Sequence, residues 1–488
     1  MLQKVFKLQE NRTTVKTEIV AGLTTFMTMA YIIALNPNLL TGFRANGGNE
    51  LWNGVFMATC IASAVGMFTM AFLANKPFAM APGMGLNSFF AVVVANIAGM
   101  TGMTYLGAYQ TALCIILIEG IIFIALSLLN VREKIVESIP LGIRQGIAPA
   151  IGLMLMNIGL GSNAGIQNFA QEYFDAEGNR LGNNCYYAMR DFFGSLTAGL
   201  AKETMGEAYP AMVLSVVTMF VGLFVIIALA HRGVKAAVIL GMLVSSVLHW
   251  AGQALFLKVN PFEGVKAGGF LPPVQDMVNT TLFKFNFAGF VEIGGFTIIT
   301  LIVTFCIIDM FDTIGTLVGT ASRAGMLNKD GKMENMKEAL MADAVGTVVG
   351  SATGTSTVTT FVESASGVEA GGRTGLTAFT TGVLFLACMF LAPIAAIIPP
   401  AATSSALIYV GVLMISGIKN IDMDDISQSV PVTLMLIGMP VSGSIGHAIG
   451  LGLISFTIIK IFTGKAKEVS VLTYVLSMIF LLKFFLAI

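Results

Sequence analysis

Charge is scarce in this sequence. Charged residues make up 11% of its 488 residues, whereas a soluble domain carries about a quarter. Hydrophobic residues make up 56%, and the mean hydropathy is +0.83. So few charges on so apolar a chain exclude an ordinary soluble protein. The composition predicts an all-α polytopic membrane protein embedded in a lipid bilayer.

Residues that build common metal, redox and nucleic-acid sites are also few. The formal net charge is +0, and the basic residues fall in short loops, so we expect no nucleic-acid partner. Four of the five cysteines lie inside apolar runs and Cys185 stands alone in a polar loop, which gives neither a disulfide framework nor a metal-ligand spacing. We therefore expect no metal and no cofactor.

Histidine, which titrates near neutral pH, occurs three times. His231 and His249 lie near the ends of apolar runs and are interpreted as interfacial residues. His447 lies within an apolar run, away from the intramembrane acids, and its functional role stays open.

Apolar runs long enough to span a bilayer recur along the chain, and we count about fourteen crossings. The first run, Ile19–Leu40, follows a basic stretch and predicts an insertion signal that is not cleaved. The basic loops share one side if the N-terminus is cytoplasmic, so we expect a multi-pass protein of the cell membrane with that orientation. Lys460, Lys465 and Lys467 break the pattern unless Ile426–Pro440 forms an additional crossing.

Two segments are too rich in Gly, Pro, Ser and Thr for ordinary membrane helices. They are Pro77–Asn96 and Gly350–Gly372, at matching places in the two halves of the chain. In a membrane, backbone without helical hydrogen bonds persists only where protein or a water-filled cavity satisfies it. Paired broken segments therefore predict a carrier with its substrate site between them.

The two halves of the chain resemble each other. Ala62–Gly66 reads A-S-A-V-G and Ala342–Gly346 reads A-D-A-V-G, and two further matches follow in the same order. An odd number of crossings per copy inverts the second copy in the membrane. The sequence therefore predicts 7+7 inverted repeats, in which Ala81–Asn87 corresponds to Phe361–Gly367 and the broken segments are spans 3 and 10.

Acidic residues within the apolar runs need a reason, because each buried charge costs about 2.5–3.5 kcal/mol on insertion scales. They are Asp309, Asp312, Asp343, Glu363 and Glu369. Asp309 and Asp312 share one helix face and can line one cavity. For Glu369 and Asp343, pairing with a base such as Arg373 or capping of a helix end stays open. Glu119 either serves the site or bonds a neighbouring helix.

Three strings carry a resemblance to a known family. They are F-x-x-x-D-M-F-D-T-I-G-T-L at Phe305–Leu317, A-P-G-M-G-L-N at Ala81–Asn87, and T-T-F-V-E-S-A-S-G-V-E-A-G-G-R-T-G at Thr359–Gly375. On these strings the chain resembles the AzgA-like purine permeases of the nucleobase–ascorbate transporter superfamily. The resemblance implies proton-coupled uptake of adenine, guanine or hypoxanthine, without enzymatic activity, and suggests a homodimer through a gate domain.

The same resemblance divides the chain and assigns residues. It implies a core domain of residues 17–130 and 258–392 and a gate domain of residues 131–257 and 393–488. It implies binding acids at Asp309, Asp312 and Glu363, and a third-span G-x-N at Gly85 and Asn87. In uracil and xanthine members the eighth-span acid is Glu, often followed four residues later by another polar side chain. Here the pair is Asp312 and Thr316, which argues against a uracil-type mechanism that uses a histidine.

The chemistry of these residues suits a purine, which has N–H donors on its edges and two apolar faces. Glu363 and Asp312 supply acceptors, Asn87 donates or accepts, and Phe305 or Phe361 can cover a ring face, although core packing is the commoner role of a single Phe. A buried carboxyl can also take up a proton on one side and release it on the other. The candidates for proton coupling are Glu363, Asp312, Asp309 and Asp343.

Four other functions are alternatives to a purine transporter at this point. An intramembrane aspartyl protease needs an Asp in a G-x-G-D string, which the sequence lacks, and a channel has no need of paired broken helices. An anion transporter of the same architecture favours positive helix ends, and acids at the site would repel its substrate. A uracil or xanthine transporter shares the fold. The preferred purine stays open, because one hydrogen bond can separate a 6-amino from a 6-oxo group.

Overall fold

Long apolar runs fold as helices here because a helix bonds its backbone polar groups within its own segment. The computed structural model describes residues 2–42, 44–129, 139–164, 171–174, 180–184, 196, 206–260, 262, 270–323, 326, 333–442 and 445–486. Within these ranges, 11 helices are long and apolar enough to cross a membrane, and Ile426–Ser442 and Val471–Leu482 are shorter apolar helices. The predicted all-α polytopic chain is confirmed. Cys185 lies outside the described residues.

The first half of the chain holds nine helices and three short strands in its described residues. They are α1 (Leu2–Val5), α2 (Val15–Met29), α3 (Ile32–Leu40), α4 (Gly48–Thr69), β1 (Met80–Pro82), α5 (Met84–Thr101), α6 (Tyr105–Leu128), α7 (Leu141–Ile158), β2 (Gln171–Phe174), β3 (Arg180–Asn184), α8 (Tyr209–His231) and α9 (Ala237–Gly252). Strands β2 and β3 form an antiparallel hairpin.

The second half continues with eleven helices and one strand in its described residues. Its elements are α10 (Val274–Thr280), α11 (Gly289–Ile293), α12 (Gly295–Arg323), α13 (Met336–Thr353), β4 (Val358–Thr360), α14 (Ser364–Glu369), α15 (Gly375–Ala387), α16 (Ala392–Ala396), α17 (Pro400–Ile415), α18 (Ile426–Ser442), α19 (Ile445–Phe462) and α20 (Val471–Leu486).

The two predicted broken segments contain strands β1 and β4, which pair with each other. The pairing is antiparallel, with Met80 opposite Thr360 and Pro82 opposite Val358. All six strand residues are buried. Each strand leads into a helix, β1 into α5 and β4 into α14. The structure therefore confirms that both segments interrupt the helical pattern, and it shows that they interrupt it at the same place.

The helices pack into two groups. In one group, α13 packs on α4 and α6, and α15 packs on α2 and α4. In the other, α7 packs on α17 and α18, and α8 packs on α9 and α17. Helices α5 and α12 of the first group touch α7 of the second. The division of the chain into core and gate domains, with its four boundaries, stays a prediction.

The C-terminal region contains a helix, α18, at the place where the lysine pattern predicts an additional crossing. Helix α18 packs along α19, and α20 follows and packs on α19. If α18 crosses the bilayer, the end of α19, with Lys460, and the following turn with Lys465 and Lys467 return to the side of the N-terminus. The exception to the charge pattern then disappears.

Glu18 of α2 is a fully buried carboxylate that joins two helices. It accepts hydrogen bonds from the backbone N–H groups of Arg373 (2.9 Å) and Thr374 (3.2 Å) and from the Thr377 hydroxyl (2.6 Å). The first N–H groups of a helix have no partner inside it, and a negative charge there is favourable. Glu18 thus caps α15 from outside.

We expect Glu18→Ala to lower the free energy of unfolding by about 1–3 kcal/mol, because buried donors lose a charged acceptor. Thermal unfolding of the purified protein in detergent measures this. Glu10→Ala is the matched control, since Glu10 is exposed in the same N-terminal region. Equal melting temperatures for the two variants would contradict the capping role.

Candidate functional site

The broken segments supply each other's backbone hydrogen bonds. The N–H of Gly83 donates to the carbonyl of Thr357 and that of Phe361 donates to the carbonyl of Ala79, both at 3.0 Å. The Ser364 hydroxyl accepts from the N–H of Ala79 at 2.9 Å. Backbone that leaves the helix inside an apolar layer is therefore satisfied by the other segment.

Asn87 ties the segments together through its side chain. Its amide oxygen accepts from the Ser356 hydroxyl, and its amide nitrogen donates to the carbonyl of Pro82 at 3.1 Å. Asn87 is fully buried. Each end of the amide thus has a partner within the protein, which leaves one N–H and one oxygen lone pair beyond these two bonds.

Glu363 immediately precedes α14 and is held by a tyrosine that the sequence analysis missed. The hydroxyl of Tyr31 donates to Oε1 of Glu363 at 2.7 Å. Tyr31 lies at the break between α2 and α3 and is 2% exposed. From the other helix group, Tyr409 of α17 lies within electrostatic range of Glu363. This carboxylate therefore sits where the two groups face each other.

Asp312 of α12 reaches the start of α5. A Cβ atom on Gly83 would lie 2.4 Å from the Thr359 methyl group and 3.3 Å from Oδ2 of Asp312, so the missing side chain leaves room for both side chains. Asp312 is also within electrostatic range of Glu363 and Asp343. The structure thus brings two of the three predicted binding acids, Asp312 and Glu363, to the N-terminal ends of α5 and α14. The first N–H groups of α14 already donate to backbone carbonyls of Phe361, Val362 and Glu363, so the start of α5 is where helix N–H groups can donate to a ligand.

Asp309 and Asp343 lie on the buried side of the same region. The Thr313 hydroxyl is 3.1 Å from Oδ1 of Asp309 and 2.7 Å from Oδ1 of Asp343. It is also 2.9 Å from the Thr359 hydroxyl of β4. All four side chains are buried. Asp309 is therefore turned toward α13 and β4.

The phenylalanine and glycine residues that were predicted to contact the substrate lie in different surroundings. Phe305 is fully buried and lies 4.6 Å from Phe89, ring centre to ring centre. Phe361 is 5% exposed and bonds to β1 through its backbone. A Cβ atom on Gly85 would lie 2.8 Å from Ile151 of α7. Gly85 thus lies where α5 meets the other helix group, and the substrate roles of these residues stay predictions.

Two of the open acids have partners. Glu119 of α6 accepts from the Thr357 hydroxyl at 2.8 Å, so it supports the second broken segment. Glu369 pairs with Lys235 at 2.8 Å. The neighbouring base, Arg373, instead donates to the backbone carbonyls of Val368 and Gly372. The Glu369 pair joins α14 to the loop between α8 and α9.

Two of the histidines have neighbours elsewhere in the described residues. His249 lies 3.2 Å from the Thr218 hydroxyl, and His447 packs near Phe484. No group of three or more His, Cys, Asp and Glu side chains that could hold a metal occurs in the described ranges.

Comparisons with known proteins point to transport. A model of the permease family (Xan_ur_permease) matches residues 16–182 and 188–440. The adenine permease AdeP of Escherichia coli is 36% identical over 99% of this chain and 96% of that protein. The guanine/hypoxanthine permease PbuO of Bacillus subtilis is 36% identical over 99% of this chain and 100% of that protein. A putative permease of Methanocaldococcus jannaschii is 38% identical over 99% and 98%.

Solved structures share the fold. The transmembrane domain of the cyanobacterial bicarbonate transporter BicA aligns with a TM-score of 0.58 and 16% identity over 89% of this chain and 96% of that chain. The murine anion transporter Slc26a9 aligns with a TM-score of 0.59 and 11% identity over 92% and 68%. These proteins have 7+7 inverted repeats, so the predicted fold class is confirmed.

Proposed function

The chain belongs to the permease family of membrane transporters, and we propose that it carries purine nucleobases into the cell by proton symport. The substrates are adenine, guanine or hypoxanthine. Relatives of equal identity, 36%, are named for adenine and for guanine and hypoxanthine, so their names do not select one purine. We place the protein in the cell membrane with a cytoplasmic N-terminus, as a homodimer through the gate domain.

One observation carries the purine proposal, the meeting of Asp312 and Glu363 at the N-terminal ends of α5 and α14. Carboxylate oxygens accept from the N–H groups of a purine edge, and the first N–H groups of α5 donate to its ring nitrogens or 6-oxo group. Gly83 leaves room for this approach. An inorganic anion, by contrast, would meet two negative charges, so the shared fold with BicA does not extend to its substrate.

Uptake by cells that express the protein tests the substrate and the coupling together. Hypoxanthine uptake should be competed by adenine or guanine and not by uracil, should rise as external pH falls from about 8 to 6, and should collapse with a protonophore. Sodium-dependent uptake at fixed pH would overturn symport with protons. Competition by uracil alone would overturn the substrate class.

Glu363→Gln tests the binding role directly. The amide keeps the shape but replaces one acceptor oxygen by a donor, so a purine N–H loses a charged partner worth about 1.5–3 kcal/mol, or roughly 10- to 150-fold in affinity. Calorimetry with hypoxanthine and adenine measures the change.

Glu369→Gln is the matched control, because Glu369 ends the same short helix. Its side chain is 57% exposed in its ion pair with Lys235, and exposed pairs contribute about 0–1 kcal/mol. Its affinity should stay near wild type. If Glu363→Gln binds purines as tightly as Glu369→Gln does, Glu363 does not contact the substrate.

We propose that the core domain moves against the gate domain and carries the purine with it. Two contacts between the domains support this movement. Gly85 of α5 lies against Ile151 of α7, so close approach of the domains needs a residue without a side chain. Lys235 pairs with Glu369 across the same two groups. Both contacts should change when the core moves.

A cross-link across this ion pair tests the movement. Cysteines at Lys235 and Glu369, joined by a bifunctional methanethiosulfonate in a Cys185→Ser background, should abolish uptake reversibly and preserve binding from one side. Cysteines at Lys460 and Glu468 are the control, because that pair, 2.7 Å apart, joins residues of one domain. Full uptake by a quantitatively cross-linked 235–369 pair would contradict the moving core.

A further inference from the structure

The hydroxyl of Thr313 lies between two buried carboxylates. Its oxygen is 2.7 Å from Oδ1 of Asp343 and 3.1 Å from Oδ1 of Asp309, and the Thr359 hydroxyl lies 2.9 Å away on a third side. These contacts join α12, α13 and β4, so one small side chain connects an element of the broken segment with both acids.

The proton count of this group is informative. A hydroxyl has one hydrogen to donate and two lone pairs that accept. Thr313 can therefore donate to only one of the two aspartates. Its contact with the other is a hydrogen bond only if that carboxyl carries a proton and donates to Thr313. The hydroxyl of Thr359 then donates to the remaining lone pair of the Thr313 oxygen. Each of the three contacts of Thr313 is then a hydrogen bond with one hydrogen in it.

We propose that Asp309, Thr313 and Asp343 form a proton-binding site in which the two aspartates share one proton. The site rests on the proposed proton symport and names the group that carries the proton. It is separate from Asp312 and Glu363, which bind the purine. Carboxylates that lie close together titrate as a pair, because ionising both places two like charges in one buried region.

The neighbouring charges reinforce the sharing. Another acid faces the pair from α12 itself, since Asp312 lies within electrostatic range of Asp343 as well as of Glu363. Bases also occur on elements that pack against α12. Lys337 in the first turn of α13 donates to the carbonyl of Leu128, and Lys460 of α19 pairs with Glu468; the others are Arg144 in the first turn of α7 and Lys483 of α20. Full ionisation would therefore crowd like charges around β4.

This arrangement links the proton to the purine. Asp312 follows Asp309 by three residues and lies within electrostatic range of Asp343. A proton on the pair removes one negative charge from the surroundings of Asp312, so both binding acids can stay ionised and accept from a purine. Release of the proton restores the repulsion and weakens binding. A proton taken from outside water should therefore travel with the purine, and its release to the cytoplasm should promote release of the purine.

The test separates proton movement from purine movement in proteoliposomes. Wild type should acidify the lumen as hypoxanthine enters, and its hypoxanthine affinity should fall by up to about tenfold per pH unit between pH 6 and 8, as for one linked proton. Asp343→Asn and Asp309→Asn should each lose the acidification and the pH dependence while still exchanging internal for external hypoxanthine. Thr313→Ser, which keeps the hydroxyl, should retain both.

The matched control is Glu119→Gln, which neutralises a buried acid bonded to a threonine of the same broken segment. It should keep the wild-type ratio of protons to hypoxanthine. If both Asp→Asn variants acidify the lumen at the wild-type ratio, the shared site is wrong. If wild type itself moves no protons with hypoxanthine, the proposed symport fails instead, so the two failures are distinguishable.

Discussion

Every feature of the central region depends on one constraint, that backbone outside a helix must find its hydrogen bonds within the protein when it lies in an apolar layer. The chain meets this constraint by pairing β1 with β4. The pairing holds both broken segments in place between the helices that flank them. It therefore creates two helix starts, those of α5 and α14, directed at one small region. Acidic side chains can then converge in this region at a tolerable cost in free energy.

The polar contacts around the ladder form a support system for these helix starts. Ser356 and Asn87 connect the two segments, Glu119 bonds to Thr357, and Tyr31 holds Glu363. Each of these contacts joins different parts of the chain. Such a network is rigid, because moving one segment would leave several buried groups without partners. Rigidity here suits a body that moves as a unit, since the site keeps its geometry while its surroundings change.

The sequence predicted the parts of this region whose signal is local. Glycine and proline identified the broken segments, and acids in apolar runs identified Asp312 and Glu363. The sequence did not predict the contacts of Tyr31, Thr313 and Lys235. A single tyrosine or threonine in an apolar run gives no signal, and the contacts of all three residues involve partners distant along the chain. The role of Glu18 was not predicted for another reason. It lies next to the basic N-terminal stretch, where a charge is unremarkable by sequence, yet the fold buries it.

The ladder between β1 and β4 also has a consequence for synthesis. Met80 is made long before Thr360, its opposite residue. During that interval the first broken segment exposes polar backbone for which the first half of the chain holds no strand partner at these positions. The nascent first half must therefore be sheltered from lipid, by the insertion machinery or by water, until the second half arrives. Inverted repeats that complete each other in this way make assembly of the membrane protein a late and cooperative event.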